Sequence, residues 1–317
     1  MPDGQHEYET DESFRHDVVE ALTSDHRRIS SKHLYDARGA SLFEEICELP
    51  EYYPTRTEVG ILRAYLPEIA KVLGVGVRVL EYGSGASVKT RLLLDHLESP
   101  LVYHPMDISR QQLAETALKL GRDYPELDVE PLHGDFNAQV EISSAARGDA
   151  PLVAFFPGST LGNLDPDDAN NLLRRTRSLV GDRGGFLLGL DLVKEVSVME
   201  EAYADSAGVT AAFNLNLLDR MVAELGAVLD RGAFRFESSW SDVQSAIESR
   251  IVATRSTVIE LDGRTHPFAA GDFIHTENSR KFDLDRFLAD ATTLGFPRSK
   301  VWTDDAGWFA VILLQTS

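Results

Sequence analysis

The apolar positions of the chain change their period twice. Over 57–73 they recur at helical spacing (Ile61, Leu62, Tyr65, Leu66, Ile69, Leu73), a stripe that predicts an amphipathic helix. Short apolar runs then alternate with further helical stripes, the pattern of buried parallel strands covered by helices. Strands are predicted at 77–82, 101–106, 129–133, 152–156 and 186–190, with helices at 89–97, 109–121 and 165–181 between them. Ser109 is placed to cap the second of these helices, and Asp165 with Pro166 opens the third. Beyond 193 the character shifts. Residues 202–225 read as one helix with Thr210 as a cap, and 234–268 is rich in β-branched and aromatic residues around an Asp262-Gly263 hairpin turn. The α/β pattern resumes at Asp283, a helix cap, and ends in strands at 300–303 and 308–314. Upstream, Leu42, Phe43, Ile46 and Leu49 form a short helical pattern, and Tyr52-Tyr53-Pro54 is expected to be extended because a residue before proline is pushed out of the helical region.

This order implies one α/β domain, 57–193 plus 280–317, interrupted by a second domain built from 1–56 plus 194–279. Each predicted parallel strand ends in a glycine or a polar residue: Gly83 and Gly85, Asp107, Asp135, Asn163, and Asp191. Any one of these serves equally well as a turn or cap. Five at the edge where open parallel sheets bind ligands favour a site.

The stretch from Val77 to Thr90 is the most informative. A strand enters Glu81-Tyr-Gly83-Ser-Gly85, and a helix follows, so the backbone can approach a ligand closely at the glycines. A dinucleotide fingerprint needs a third glycine where Val88 stands, so a nicotinamide cofactor fits poorly. An acidic residue two positions before Gly-x-Gly instead resembles the first motif of S-adenosylmethionine-dependent methyltransferases.

Composition narrows the partners. The 317 residues are 43% hydrophobic and 26% charged, with a net charge of −20, a profile that offers no basic face for nucleic acid. One cysteine, Cys47, rules out an internal disulfide and a cysteine metal cluster, and the nine histidines show no ligand spacing, so no metal is expected. No stretch reaches the ~20 apolar residues of a membrane span, and the acidic start is unlike a secretory leader. A cytoplasmic monomer acting on a small molecule is expected.

With these residues in view the chain resembles the histidine-specific methyltransferases of ergothioneine biosynthesis, the L-histidine Nα-methyltransferases, from about Phe14 onward. The resemblance is carried by Leu34-Tyr-Asp-Ala-Arg-Gly39, Leu49-Pro-Glu-Tyr-Tyr-Pro-Thr-Arg56, Glu81-Tyr-Gly-Ser-Gly85 with Lys89-Thr-Arg91, Gly158-Ser-Thr-Leu-Gly-Asn163, Ala207-Gly-Val-Thr-Ala-Ala-Phe-Asn214 and Thr276-Glu-Asn-Ser-Arg-Lys-Phe282. It implies a Rossmann-like class I methyltransferase sheet with a second α+β substrate-binding domain, S-adenosylmethionine as cofactor, and histidine as substrate. By position, it implies that Gly83 and Lys89 contact the cofactor with Tyr35 closing over it, Asp107 takes the ribose hydroxyls, and Asp135 and Phe136 receive the adenine. It gives Asn163 and Tyr203 the substrate carboxylate and the orientation of the amine, and Tyr52, Glu277 and Ser279 the imidazole. Tyr52, Asn163 and Tyr203 are thus the expected catalytic set, with no dedicated base, and the implied product is the trimethylated betaine hercynine. Two positions depart from the family pattern: Ser249, near the substrate side chain, stands where a methionine is usual, and Asn278 where a small apolar residue is usual. A related reading is therefore the same N-methylation of another aromatic or modified amino acid, and a reading of a different class is a non-catalytic cofactor binder.

Overall fold

The computed structural model describes residues 6–85, 88–138, 140, 142 and 150–317, without the side chains of 6–11 and 111. The chain divides into two compact units, Met1–Tyr53 with Lys194–Arg280, and Pro54–Val193 with Lys281–Ser317.

The second unit is a doubly wound sheet. Its strands lie in the order Arg298–Thr303, Phe309–Gln315, Gly185–Asp191, Leu152–Phe156, Arg78–Tyr82, Val102–Asp107 and Asp128–Val129, with Leu132–His133 also paired to Val102–Asp107. Pairing is parallel from Gly185–Asp191 through to the Asp128–Val129 edge, and antiparallel in the closing hairpin. The strand order reverses at Arg78–Tyr82, flanked by Val102–Asp107 on one side and Leu152–Phe156 on the other, which opens a crevice at their carboxyl ends.

Both faces of the sheet are buried, which is why the strands read as continuous apolar runs. Val79, Phe155 and Leu187 point to the face covered by Ile61, Leu62, Leu66 and Ile69 of the helix Tyr53–Leu73. Leu80, Phe156, Phe186 and Leu188 point to the opposite face, against Leu172 and Leu173 of the helix Pro166–Val180 and Phe287 of Leu284–Thr293. This is the Rossmann-like class I arrangement expected from the sequence.

Several boundaries differ from expectation. The helix expected from 57 begins at Tyr53, because proline in the first turn has no intrahelical bond to lose, so Tyr53 is not extended. The strand expected over 129–133 is two short pairings, Asp128–Val129 and Leu132–His133, separated at Pro131, which lacks a ladder N–H. The helix expected over 202–225 begins only at Val209 and runs to Leu225, and another helix, Val196–Glu201, lies before the expected span. Thr210 is inside Val209–Leu225. Its start is capped from outside by Asp205, whose carboxylate accepts the N–H groups of Val209 and Thr210, both at 2.8 Å.

The first unit is α+β. Phe234–Ser241, Ala246–Ala253 and Phe273–Arg280 form one antiparallel sheet, and Val228–Leu229, Thr257–Leu261 and Arg264–Phe268 form another. Asp262 (φ +52°) and Gly263 (φ +72°) make the left-handed pair that the predicted hairpin turn requires. The helices Ala37–Glu48 and Val209–Leu225 belong to the same unit.

Candidate active site

At the carboxyl edge of the parallel sheet, the turn after Arg78–Tyr82 holds Gly83 at φ +70° and Gly85 at φ +26°. A Cβ built on Gly83 would meet no atom of the described residues within 4 Å, its chain neighbours aside, so among these residues the space beside this backbone is open. The next strand ends at Asp107, whose carboxylate accepts the Ser109 N–H at 2.9 Å. Burial pushes the Asp107 pKa up, and backbone N–H groups of Ser109, Gly85 and Ile108 oppose the rise. Beyond Leu132–His133, Asp135 accepts the Asn137 N–H at 2.8 Å. Phe136 is half-buried, its ring 5.2 Å from Phe156 and 6.2 Å from Tyr82.

This edge is braced from beneath by carboxylates. Glu81, 2% exposed, accepts the hydroxyls of Thr90 at 2.7 Å and Tyr103 at 2.5 Å, so it ties the central strand to its neighbour and to the helix behind the glycine turn. Burial outweighs both bonds and raises its pKa to about 7. Glu58, also buried, pairs with Lys89 at 2.5 Å and accepts the Gly158 N–H. Gly158 (φ +83°) and Ser159 (φ +56°) are consecutive left-handed residues, an uncommon pair for which Ser159 is the costlier member. They are held in place as Ser159 Oγ accepts the Asp191 N–H at 2.9 Å, and the short turn Thr160–Asn163 follows. The acidic residue of the glycine motif is thus a structural brace.

In the other unit, an aromatic set lines up with a polar sheet face. Tyr35 packs against Phe43 and Phe213 at 5.4 and 5.3 Å, Phe43 against Tyr52 at 6.2 Å, and Tyr52 against Tyr203 at 5.8 Å, mostly edge to face. The Tyr203 hydroxyl is 2.5 Å from Ser279 Oγ, and Ser238 Oγ donates to the Tyr203 carbonyl at 3.1 Å. Glu277, Ser249 and Ser238 stand directly across from one another on three adjacent strands, and so share a face. Burial first, then the charge of Glu277, pushes the Tyr35 phenol well up; burial first, then Tyr203, does the same for Tyr52. Both rings therefore keep their hydroxyl protons at neutral pH.

The sequence-predicted residues fall into two groups, each within one unit. Gly83, Lys89, Asp107, Asp135, Phe136 and Asn163 lie around the carboxyl edge of the parallel sheet. Tyr35, Tyr52, Tyr203, Ser249, Glu277 and Ser279 belong to the aromatic and polar set of the other unit. Asn278 does not join them: it points to the opposite face, where its Oδ1 meets His275 Nε2 at 2.9 Å. Of the two departures from the family pattern, only Ser249 shares a face with Glu277. Sequence reading missed Glu58, Phe43 and Phe213 as site-forming residues. The signals for them are that Phe213 lies inside one of the family blocks, that Phe43 is on the same helix stripe as Ile46, and that Glu58 is a charged residue on the apolar stripe of Ile61 and Leu62. Among the described residues no group of three or more His, Cys, Asp or Glu side chains is placed to hold a metal, and no helix is long and apolar enough to cross a membrane.

Residues 14–316 match the family described as histidine-specific methyltransferase, SAM-dependent. The histidine N-alpha-methyltransferase of Mycolicibacterium smegmatis is 37% identical over 309 residues, covering 95% of this chain and 94% of that protein. That of Mycobacterium tuberculosis is 37% identical over 307 residues, with the same coverage of 95% and 94%. Ergothioneine biosynthesis protein 1 of Neurospora crassa is 27% identical over 291 residues, which is 87% of this chain and 32% of that longer protein.

Proposed function

The chain belongs to the histidine-specific, S-adenosylmethionine-dependent methyltransferase family, and on that premise we propose that it methylates the α-amino group of L-histidine three times in succession, giving hercynine for ergothioneine synthesis. S-Adenosylmethionine supplies a methyl group carried on a positively charged sulfur. The residues at the carboxyl edge fit it. The open space beside Gly83 leaves room for a ligand against the backbone, Asp107 offers a carboxylate to ribose hydroxyls, and the half-buried Phe136 ring offers a face to the adenine beside Asp135. Lys89 takes the carboxylate of the methionine moiety. Tyr35 and Asn163 keep the roles the resemblance gives them, toward the cofactor and the substrate carboxylate.

The observation that carries the substrate reading is Glu277. Its carboxylate stands on the sheet face it shares with Ser279, whose Oγ lies 2.5 Å from the Tyr203 hydroxyl, so an acceptor stands on the same face as an aromatic residue, as an imidazole N–H requires. Ser279 donates or accepts at the second ring nitrogen, and Tyr203, held by Ser279, takes the α-carboxylate. A site built from such partners disfavours an analogue that leaves them unpaired, by as much as ~10⁴ in rate. Tyrosine faces also attract a methylated ammonium, worth roughly 0.5–2 kcal/mol per ring, which suits a product that gains permanent charge. The acceptor nitrogen must be neutral when it reacts, and its proton leaves to water.

Ser249 supports a second reading, the same reaction on another aromatic or modified amino acid, because a small polar side chain directly opposite Glu277 leaves space beside a substrate ring. One experiment separates the readings: incubation with S-adenosylmethionine and each amino acid in turn, following product masses. Successive mono-, di- and trimethylhistidine are expected. A different preferred amino acid would establish the second reading, and cofactor binding without any product would leave a non-catalytic binder.

A further inference from the structure

We infer that Glu58 is a positioning residue that fixes Lys89 and cancels its charge, so that the pair presents a cofactor carboxylate with a donor without repelling a sulfonium. This rests on reading Lys89 as a cofactor ligand. Glu58 is 1% exposed and its carboxylate lies 2.5 Å from Lys89 Nζ. Both of its oxygens also accept the Gly158 N–H, at 2.9 and 3.0 Å. A Cβ built on Gly189 would overlap Glu58 Oε1, so the neighbouring strand is shaped to admit this carboxylate. Burying a carboxylate is costly unless it is paired and hydrogen-bonded, and here both conditions are met by groups at the ligand edge of the sheet.

Glu58 thus joins three elements: its own helix, the helix after the glycine turn through Lys89, and the left-handed turn at Gly158. Lys89 is itself only 18% exposed, so it is held with part of its side chain reachable. The chemistry gives the pair its meaning. S-Adenosylmethionine and its product S-adenosylhomocysteine share the same carboxylate, ammonium and nucleoside, and differ in the positive charge on sulfur. A lone lysine ammonium would favour the neutral thioether over the sulfonium. A lysine neutralised by Glu58 binds the shared carboxylate and leaves the sulfonium unpenalised.

The test is calorimetric titration of both ligands, at pH 8, into folded variants checked by thermal melting. Glu58→Gln leaves a net positive charge and is expected to shift the affinity ratio about three- to tenfold toward S-adenosylhomocysteine, the effect of one added charge at several ångströms in a partly solvated site. Glu58→Asp keeps the charge and retains the wild-type ratio. Glu58→Gln with Lys89→Met restores neutrality, so the ratio returns to wild type while both ligands bind more weakly. Where Glu58→Gln does not fold, Lys89→Met carries the comparison with the opposite sign, shifting the ratio toward S-adenosylmethionine. Equal weakening of both ligands in Glu58→Gln, or a double variant that keeps the shifted ratio, overturns the charge-balance role and leaves Lys89 as a cofactor ligand. Wild-type affinity of Lys89→Met for both ligands removes Lys89 from the cofactor site and the inference with it.

Discussion

Replacing Glu81 by glutamine is expected to change how the stability of the protein depends on pH. Glu81 is 2% exposed in the central strand, and burial raises its pKa from 4.5 to about 7 even though Thr90 and Tyr103 donate to it at 2.7 and 2.5 Å. The folded-state pKa is above the unfolded one. Between pH 4.5 and about 7 the folded chain therefore binds a proton that the unfolded chain has released, and stability falls as pH rises through that window. At ~1.4 kcal/mol per pH unit, the gap amounts to roughly 3 kcal/mol lost between pH 4.5 and 8. Glutamine cannot titrate. Its carbonyl still accepts from a hydroxyl, while its amide, left without an acceptor, costs about 1–3 kcal/mol at every pH. The variant should thus be less stable than wild type at pH 4.5, and the difference should close or reverse by pH 8. Urea unfolding at half-unit intervals, with equal denaturant dependence in both proteins, measures the difference and cancels the titration of all other carboxylates. A wild-type-minus-variant difference that stays flat across pH 4.5–8 would refute the reasoning.

Two further outcomes concern the aromatic and polar set. Tyr203→Phe, which removes the hydrogen bond to Ser279, should raise the KM for histidine about tenfold with cofactor affinity unchanged, and adding Ser279→Ala should raise it further, since Ser279 also meets the imidazole; a double variant no worse than Tyr203→Phe alone would refute a separate contact from Ser279. Asn278→Ala should leave the KM for histidine within about twofold, whereas Ser249→Met should alter it by more because it fills space opposite Glu277; steady-state kinetics giving the reverse order would place Asn278 on the substrate side.

The doubly wound sheet was legible because its strands are buried on both faces and read as apolar runs, and because each ends in a residue that turns the chain. Leu152–Phe156 appears in the structure with the limits expected, and the residues at the carboxyl ends are those picked out by position. The braces beneath that edge were not legible. Glu58 lies three residues before Ile61 and four before Leu62, on the apolar stripe of its helix, so the period places it on the buried face, but its partner Lys89 is 31 residues further on and nothing local names it. Glu81 was visible as an acidic residue at a motif position, but its partners Thr90 and Tyr103 come from a helix and a neighbouring strand, and only packing brings them together. The start of Val209–Leu225, seven residues later than expected, was hidden for a related reason: Asp205 caps it from before Gly208, whose left-handed backbone (φ +74°) has no periodicity to betray it.

Which face each residue of Phe273–Arg280 presents was equally out of reach. His275 stands opposite Arg250, so an unbroken register would set Glu277 opposite Glu248. The strand instead shifts by one residue between His275 and Glu277, and Glu277 faces Ser249. One extra residue in a strand exchanges its faces, because side chains alternate with a period of two. The irregularity is held by Thr276, 1% exposed, whose hydroxyl lies 2.6 Å from Asn214 Oδ1 and 3.1 Å from the Ser249 carbonyl. Without it, Glu277 would share a face with Arg250 and His275, and Asn278 would stand beside Ser249. The bulge therefore puts the Glu277 carboxylate on the side of Tyr203, and sends Asn278 to the side where it bonds His275. The resemblance alone presents 249 and 278 as two equal departures. The register makes one of them a neighbour of Glu277 and removes the other from its face.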